Sequence, residues 1–295
     1  MTPRTKAHLA LFAVAVIYGL NYIIAKEVMN GYIGPRGFIF MRVVGASALF
    51  WLFHSFAKGK RPIEKKDWPR VLLSGLFGVA ANQLMFFEGL NLTTPINASV
   101  IMTVNPILVL VLSAILLKEG IRRWRILGIV LGFSGALFLI LGRGNVSLLN
   151  DQQSLGNLLI LLNATSYGIY LVIVKPLMAK YDALQIIKWV FLSGLIFVIP
   201  AGFGQFAAVD WSSWTPIIIA QAAFVVICTT FLAYLFNVYA LKTVSSTTVS
   251  IYIYLQPLLA TAASLALGKD VLTWREVVAA ALIFSGVYLV SFSKK

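Results

Sequence analysis

Two carboxamides in this chain each precede a proline, Asn105-Pro106 and Gln256-Pro257, and the pairs stand 151 residues apart. A primary amide offers donors and an acceptor without carrying charge. The proline after it removes one backbone donor and frees a carbonyl one turn earlier, so a bend or local opening is expected at Pro106 and Pro257. A freed carbonyl beside an amide suits a neutral or zwitterionic solute. At helical spacing Asn97, Ile101 and Asn105 share one face, and Thr248, Tyr252 and Gln256 share the matching one. Asn82 with Gln83, Tyr18 with Asn21 and Tyr22, and Asn163 with Tyr167 and Tyr170 add amides and phenols able to line a cavity or stack on a planar solute. The candidate substrate-binding set is therefore Tyr18, Asn21, Asn82, Gln83, Asn97, Asn105, Tyr167, Tyr170, Thr248, Tyr252 and Gln256, with Pro106 and Pro257 as candidate hinges. The same amides could instead only bond neighbouring helices; their duplication at one depth favours a pathway. Thr229, Thr230 and Asn237 are weaker members, since a threonine can satisfy itself on its own helix backbone.

These polar residues carry weight because of what surrounds them. Hydrophobic residues make up 60% of the 295 and charged residues 12%, with a mean hydropathy of +0.89. The bilayer is the solvent, and a polar group within it is costly unless it faces a partner or a wet cavity. Breaks of Gly, Pro and charge divide the chain into ten apolar stretches, near 8–27, 35–57, 69–89, 93–117, 124–142, 155–177, 184–204, 214–239, 243–267 and 274–292. An all-α membrane protein of ten transmembrane helices follows.

The two halves repeat one another. A shift of 151 carries Ser99, Pro106, Ser113, Lys118 and Phe133-Ser134-Gly135 onto Ser250, Pro257, Ser264, Lys269 and Phe284-Ser285-Gly286. A shift of 149 carries Tyr18, Gly19, Lys26 and Tyr32 onto Tyr167, Gly168, Lys175 and Tyr181. The repeats are expected at 1–145 and 146–295, joined through the polar stretch 143–154. Five spans per half is an odd number, so the second repeat lies upside down relative to the first. Inverted repeats of this kind rock about a site held between them in transporters.

Lys and Arg set the orientation. Arg4, Lys6, Lys58, Lys60, Arg61, Lys65, Lys66, Arg70, Lys118, Arg122, Arg123, Arg125, Lys180, Lys242, Lys294 and Lys295 fall on one side, against Lys26, Arg36, Arg143, Lys269 and Arg275 on the other. Both termini are expected in the cytoplasm, in an inner or plasma membrane. The net charge of +14 sits in short loops rather than on a basic face, so no nucleic acid is expected; the lipid bilayer and a small-molecule substrate are the expected partners. Cys228 is single, and His8 and His54 stand far apart without clustered carboxylates, so neither a metal nor a cofactor nor enzyme chemistry is expected. The first span is too long for a signal peptide and lacks a small-residue cleavage site, so it is expected to stay attached.

Charges inside spans are few. Arg42 lies about two turns within the second span and is placed as a candidate latch with Glu88 or Glu27 at the outer ends. Snorkelling accounts for Lys26, Lys175 and Lys188. No carboxylate lies at the midplane, which argues against a proton-driven extruder of organic cations and predicts transport that survives collapse of a proton gradient. Gly128, Gly132 and Gly135, with Ala279 to Ala281 and Gly286, give the fifth and tenth spans close-packing faces against the bundle or against another copy, leaving a homo-oligomer open.

The Tyr-Gly-x-Asn of Tyr18 to Asn21, Arg42 in the second span, Asn105-Pro106, Glu119 after the fourth span and the glycines from Gly128 to Gly135 together resemble the EamA-type branch of the drug/metabolite transporter superfamily, over essentially the whole chain. Members of that branch export amino acids and other metabolites, and relatives on the same fold move nucleotide sugars and triose phosphates. The resemblance implies a central cavity lined by the first, third, fourth, sixth, eighth and ninth spans. The second repeat departs from the pattern: Tyr170 stands for Asn21, Asp270 for Glu119, and nothing basic for Arg42. Residues and resemblance lead to one expectation, a transporter exporting a small neutral or zwitterionic metabolite, an amino acid first, by alternating access. A drug or cation extruder, and a membrane-embedded enzyme, stand as alternatives.

Overall fold

The computed structural model describes residues 2–55, 62–117, 123–141, 151–241, 243–244 and 252–292. Eight helices are long and apolar enough to cross a membrane: Pro3–Met29, Pro35–Ser55, Lys65–Leu92, Pro95–Ile115, Arg123–Leu141, Gln152–Lys180, Ala183–Ala207 and Pro216–Asn237. Leu255–Ala266 and Trp274–Phe292 complete the ten, and they are called the first to tenth spans below. The described residues contain no strand. Successive spans run in opposite directions, so one face of the bundle gathers the starts of odd spans in the first half. It is called the N-terminal face and its opposite the far face.

Span starts are written in short polar signals. Thr2-Pro3, Thr94-Pro95 and Thr215-Pro216 each open a span, the threonine hydroxyl accepting from the backbone N–H three residues on and the proline taking a position where no donor is needed. Asp151 and Asp182 cap the sixth and seventh spans in the same way. Because the hydrocarbon offers no hydrophobic drive between helices, packing rests on small residues and van der Waals contact. The fifth and tenth spans pair closely. A Cβ added at Gly286 would lie 2.5 Å from the Gly128 carbonyl oxygen, and one at Gly128 would lie 2.6 Å from that of Gly286. The second span packs on the seventh and the third on the sixth; the first packs on the eighth and ninth.

Both halves interrupt their helices at matched depths. The third span widens into a π-turn over Leu76–Ala80 and the eighth over Phe224–Leu232. The fourth span stops at Met102 and resumes at Asn105, and the ninth passes through a turn at Tyr254 before Leu255–Ala266. The opening expected at the two amide-proline pairs is thus present, with each amide at or beside the start of the resumed helix.

Candidate functional site

The interruptions bring the middle of the bundle together. Gly19 of the first span rests against Gln256 O and Ala260 of the ninth, while its repeat mate Gly168 of the sixth rests against Val109 and Leu112 of the fourth. Tyr18 and Tyr167 are carried beside those glycines. Both tyrosines are half-buried. Tyr170 is buried, with its ring centroid 5.8 Å from that of Tyr167. Asn105 and Gln256 are half-buried, and Oδ1 of Asn105 has no hydrogen-bond partner in the protein; neither has Oε1 of the buried Gln83. An acceptor buried in this way costs free energy until something donates to it.

The π-turn of the eighth span adds residues that the sequence ranked low. It sets Thr229 and Thr230 toward the first and second spans: Thr229 Oγ1 donates to Asn21 Oδ1 at 3.2 Å, and Arg42 Nε donates to Thr230 Oγ1 at 2.8 Å. Thr230 in turn donates to the Val225 carbonyl five residues back, a spacing that only the widened turn supplies. Phe87 lies under the Arg42 guanidinium, 5.1 Å from ring centroid to Cζ. Asn237, by contrast, bonds its own helix at the Ala233 carbonyl.

Other expected members stand elsewhere. Asn82 is half of a clamp: its Nδ2 donates to the Asn163 carbonyl at 3.2 Å, and Asn163 Nδ2 donates to the Asn82 carbonyl at 2.7 Å. Asn97 is 3% exposed with Oδ1 unpartnered, but it sits in the first turn of the fourth span. There it borders a far-face cavity of about 340 Å³, with Asp151, Ser154 and Glu276 among the lining residues. Tyr252 lies at the N-terminal face, where its hydroxyl meets His8 Nδ1 at 3.0 Å. Thr248 falls outside the described residues. The latch between Arg42 and Glu88 is not formed. Glu88 Oε1 takes Arg36 Nε at 2.6 Å, because Arg36 stands at the mouth level with Glu88 while Arg42 lies deeper.

The far face is nevertheless drawn together by polar contacts. Lys269 pairs with Glu27 at 2.5 Å, the Ile96 N–H donates to Asp270 Oδ2 at 3.1 Å, and Lys26 donates to the Thr93 carbonyl. At the N-terminal face Lys180 pairs with Glu64 at 2.6 Å and Asp67 at 2.7 Å, ties between the sixth span and the start of the third. Those partners hold the Glu64 carboxyl below its ordinary range, Lys180 contributing most and Lys66 next. A separate small core of Ala7, Leu11 and Ala240, with Val244 and Tyr252, joins the first, eighth and ninth spans there. Every described carboxylate lies at a span end or in a loop. No group of three His, Cys, Asp or Glu able to hold a metal is found among the described residues.

Known proteins share this arrangement along its length. The chain is 24% identical over 286 residues to the uncharacterized transporter YyaM of Bacillus subtilis (strain 168), covering 96% of this chain and 93% of that protein. It is 26% identical over 289 residues to an uncharacterized transporter of Archaeoglobus fulgidus, covering 97% and 98%. A probable terminal-alkyne amino-acid exporter of Streptantibioticus cattleyicolor is 24% identical over 196 residues, covering 66% and 64%. One solved crystal structure superimposes with a TM-score of 0.61 at 17% identity, covering 98% of this chain and 97% of that one, which establishes the shared fold. The EamA-like transporter family matches twice, over residues 5–141 and 154–292. Ten helices in two inverted five-helix repeats, each repeat matched, make this chain a multi-pass membrane transporter of the EamA-like family within the drug/metabolite transporter superfamily.

Proposed function

We propose that the protein exports a small neutral or zwitterionic metabolite, an amino acid first, by alternating access about the centre of the bundle. The observation that carries this reading is the pair of half-buried amides at matched helix interruptions, Asn105 with an unpartnered acceptor and Gln256 beside Gly19, flanked by Tyr18 and Tyr167. A hydrogen-bonding site of amides and phenols, with no carboxylate at its depth among the described residues, favours neutral or zwitterionic solutes over cations. The relative from Streptantibioticus cattleyicolor, named as an amino-acid exporter, supports that choice. In this reading both termini face the cytoplasm of an inner or plasma membrane, the orientation that the Lys and Arg distribution favours. The far-face contacts then close the outer mouth.

Asn105→Ala and Gln256→Ala test the site. Each variant should insert and melt like the parent in detergent while proteoliposomes lose most uptake of the carried solute, because water replaces the lost amide in a wet cavity. Repeat symmetry requires both to fail. Reduced stability with transport preserved would instead make them helix-bonding residues and remove the site from the centre.

A further inference from the structure

We propose that Arg42 is a carboxylate receptor, so that the solute this protein carries bears a carboxyl group bound by the Arg42 guanidinium. This rests on the transport reading above and names the substrate class for the same cavity.

Arg42 is the eighth residue of Pro35–Ser55, about 10 Å below the far end of its helix, and is 9% exposed. A fixed positive charge at that depth is expensive without a counter-charge. None is supplied. The two carboxylates nearest in depth are engaged elsewhere, Glu88 with Arg36 at 2.6 Å and Glu27 with Lys269 at 2.5 Å.

The contacts Arg42 does make leave its recognition edge open. Thr230 takes Nε, and Phe87 lies against one face of the planar group. The terminal Nη groups have no protein partner, and neither is among the nitrogens sealed away without one. Nη donors held in a plane fit the two oxygens of a carboxylate. A helix tie alone would not explain the charge, since a neutral donor such as glutamine could reach Thr230 without the cost of desolvation. Nor is Arg42 inherited from the repeat, whose matching positions, Phe191 to Ser193, carry no base. A lone guanidinium balances a monoanion, whereas a phosphate dianion would call for a second cation.

The test uses the full-length protein in proteoliposomes. Uptake of L-phenylalanine, L-leucine and their 2-oxo acids is measured in competition with phenylalaninamide, leucinamide and inorganic phosphate, for the parent, Arg42→Gln, Arg42→Lys and Thr230→Val. The parent should prefer acids over amides by about tenfold to a hundredfold, the effect expected of hydrogen bonds to a charged group. Arg42→Gln should lose that preference, Arg42→Lys should keep part of it, and Thr230→Val should weaken uptake while retaining it. If Arg42→Gln does not insert, the parent's preference and its reduction in Arg42→Lys decide. A parent that carries amides or phosphate and rejects the acids, or an unchanged preference in Arg42→Gln or Arg42→Lys, overturns the carboxylate receptor and leaves transport standing. A parent that carries nothing in the panel removes the amino-acid reading of the proposed function, and the receptor with it.

Discussion

Asn82 and Asn163 exchange amide hydrogen bonds, each side chain donating to the other's backbone carbonyl across the third and sixth spans. Gly89 and Gly156 sit farther along the same seam, so close that a Cβ on either would fall within 2.9 Å of the other's carbonyl oxygen. The seam is a fixed joint. Asn82→Ala and Asn163→Ala should each lower stability in detergent by about 0.6 kcal/mol and leave transport intact, with the double variant falling well short of twice either value. Thermal unfolding of the three variants checks this; strictly additive losses would show the two bonds to be independent.

The fifth and tenth spans admit no side chain at their crossing. Gly286→Ala should cost about 1 to 3 kcal/mol through overpacking against the Gly128 carbonyl. Gly204→Ala is the control, because nothing lies within 4 Å of a Cβ there. Its stability should be unchanged or raised by up to about 1 kcal/mol, as replacing a helical glycine does. Equal melting of the two variants would contradict the packing.

Acid should loosen the N-terminal face. The Glu64 carboxyl is held below its ordinary range by Lys180 and Lys66, so its contribution to stability is complete above the unfolded-state carboxylate pKa and is lost as pH falls through the lower folded value. Glu64→Gln should flatten the acid limb of a melting-temperature profile and leave the neutral region little changed. An acid limb identical to that of the parent would remove Glu64 from this role.

Much of the fold could be read from residue order, and the reasons are physical. Ten apolar runs announce themselves because hydrocarbon tolerates no other spanning structure. The helix breaks before Pro106 and Pro257 follow from proline chemistry. Thr229 and Thr230 were harder, since FVVICTTFL contains neither glycine nor proline to mark the widened turn that aims them at Asn21 and Arg42. Asn82 shows the opposite difficulty: an amide in a span declares that it has a partner, but only the fold reveals that the partner is Asn163 rather than a solute. Depth alone matches Arg42 with Glu88, but Arg36, nearly two helical turns closer to the mouth, holds the carboxylate.

The ties across the far face have an environmental consequence. Two of its ties, Arg36 with Glu88 and Lys269 with Glu27, are partly exposed ion pairs, and such pairs weaken as dissolved electrolyte shortens the screening length to about 10 Å at 0.1 M and less beyond. The ion pairs of the opposite face join the third and sixth spans, which the Asn82 and Asn163 exchange already binds. Brine on one side of the membrane thus relaxes a mouth, while brine on the other acts on a joint that is fixed in any case. In the proposed alternating-access cycle the balance between closed and open forms should therefore follow the salinity of a single compartment, and turnover in fresh and saline media should differ even when the solute gradient does not.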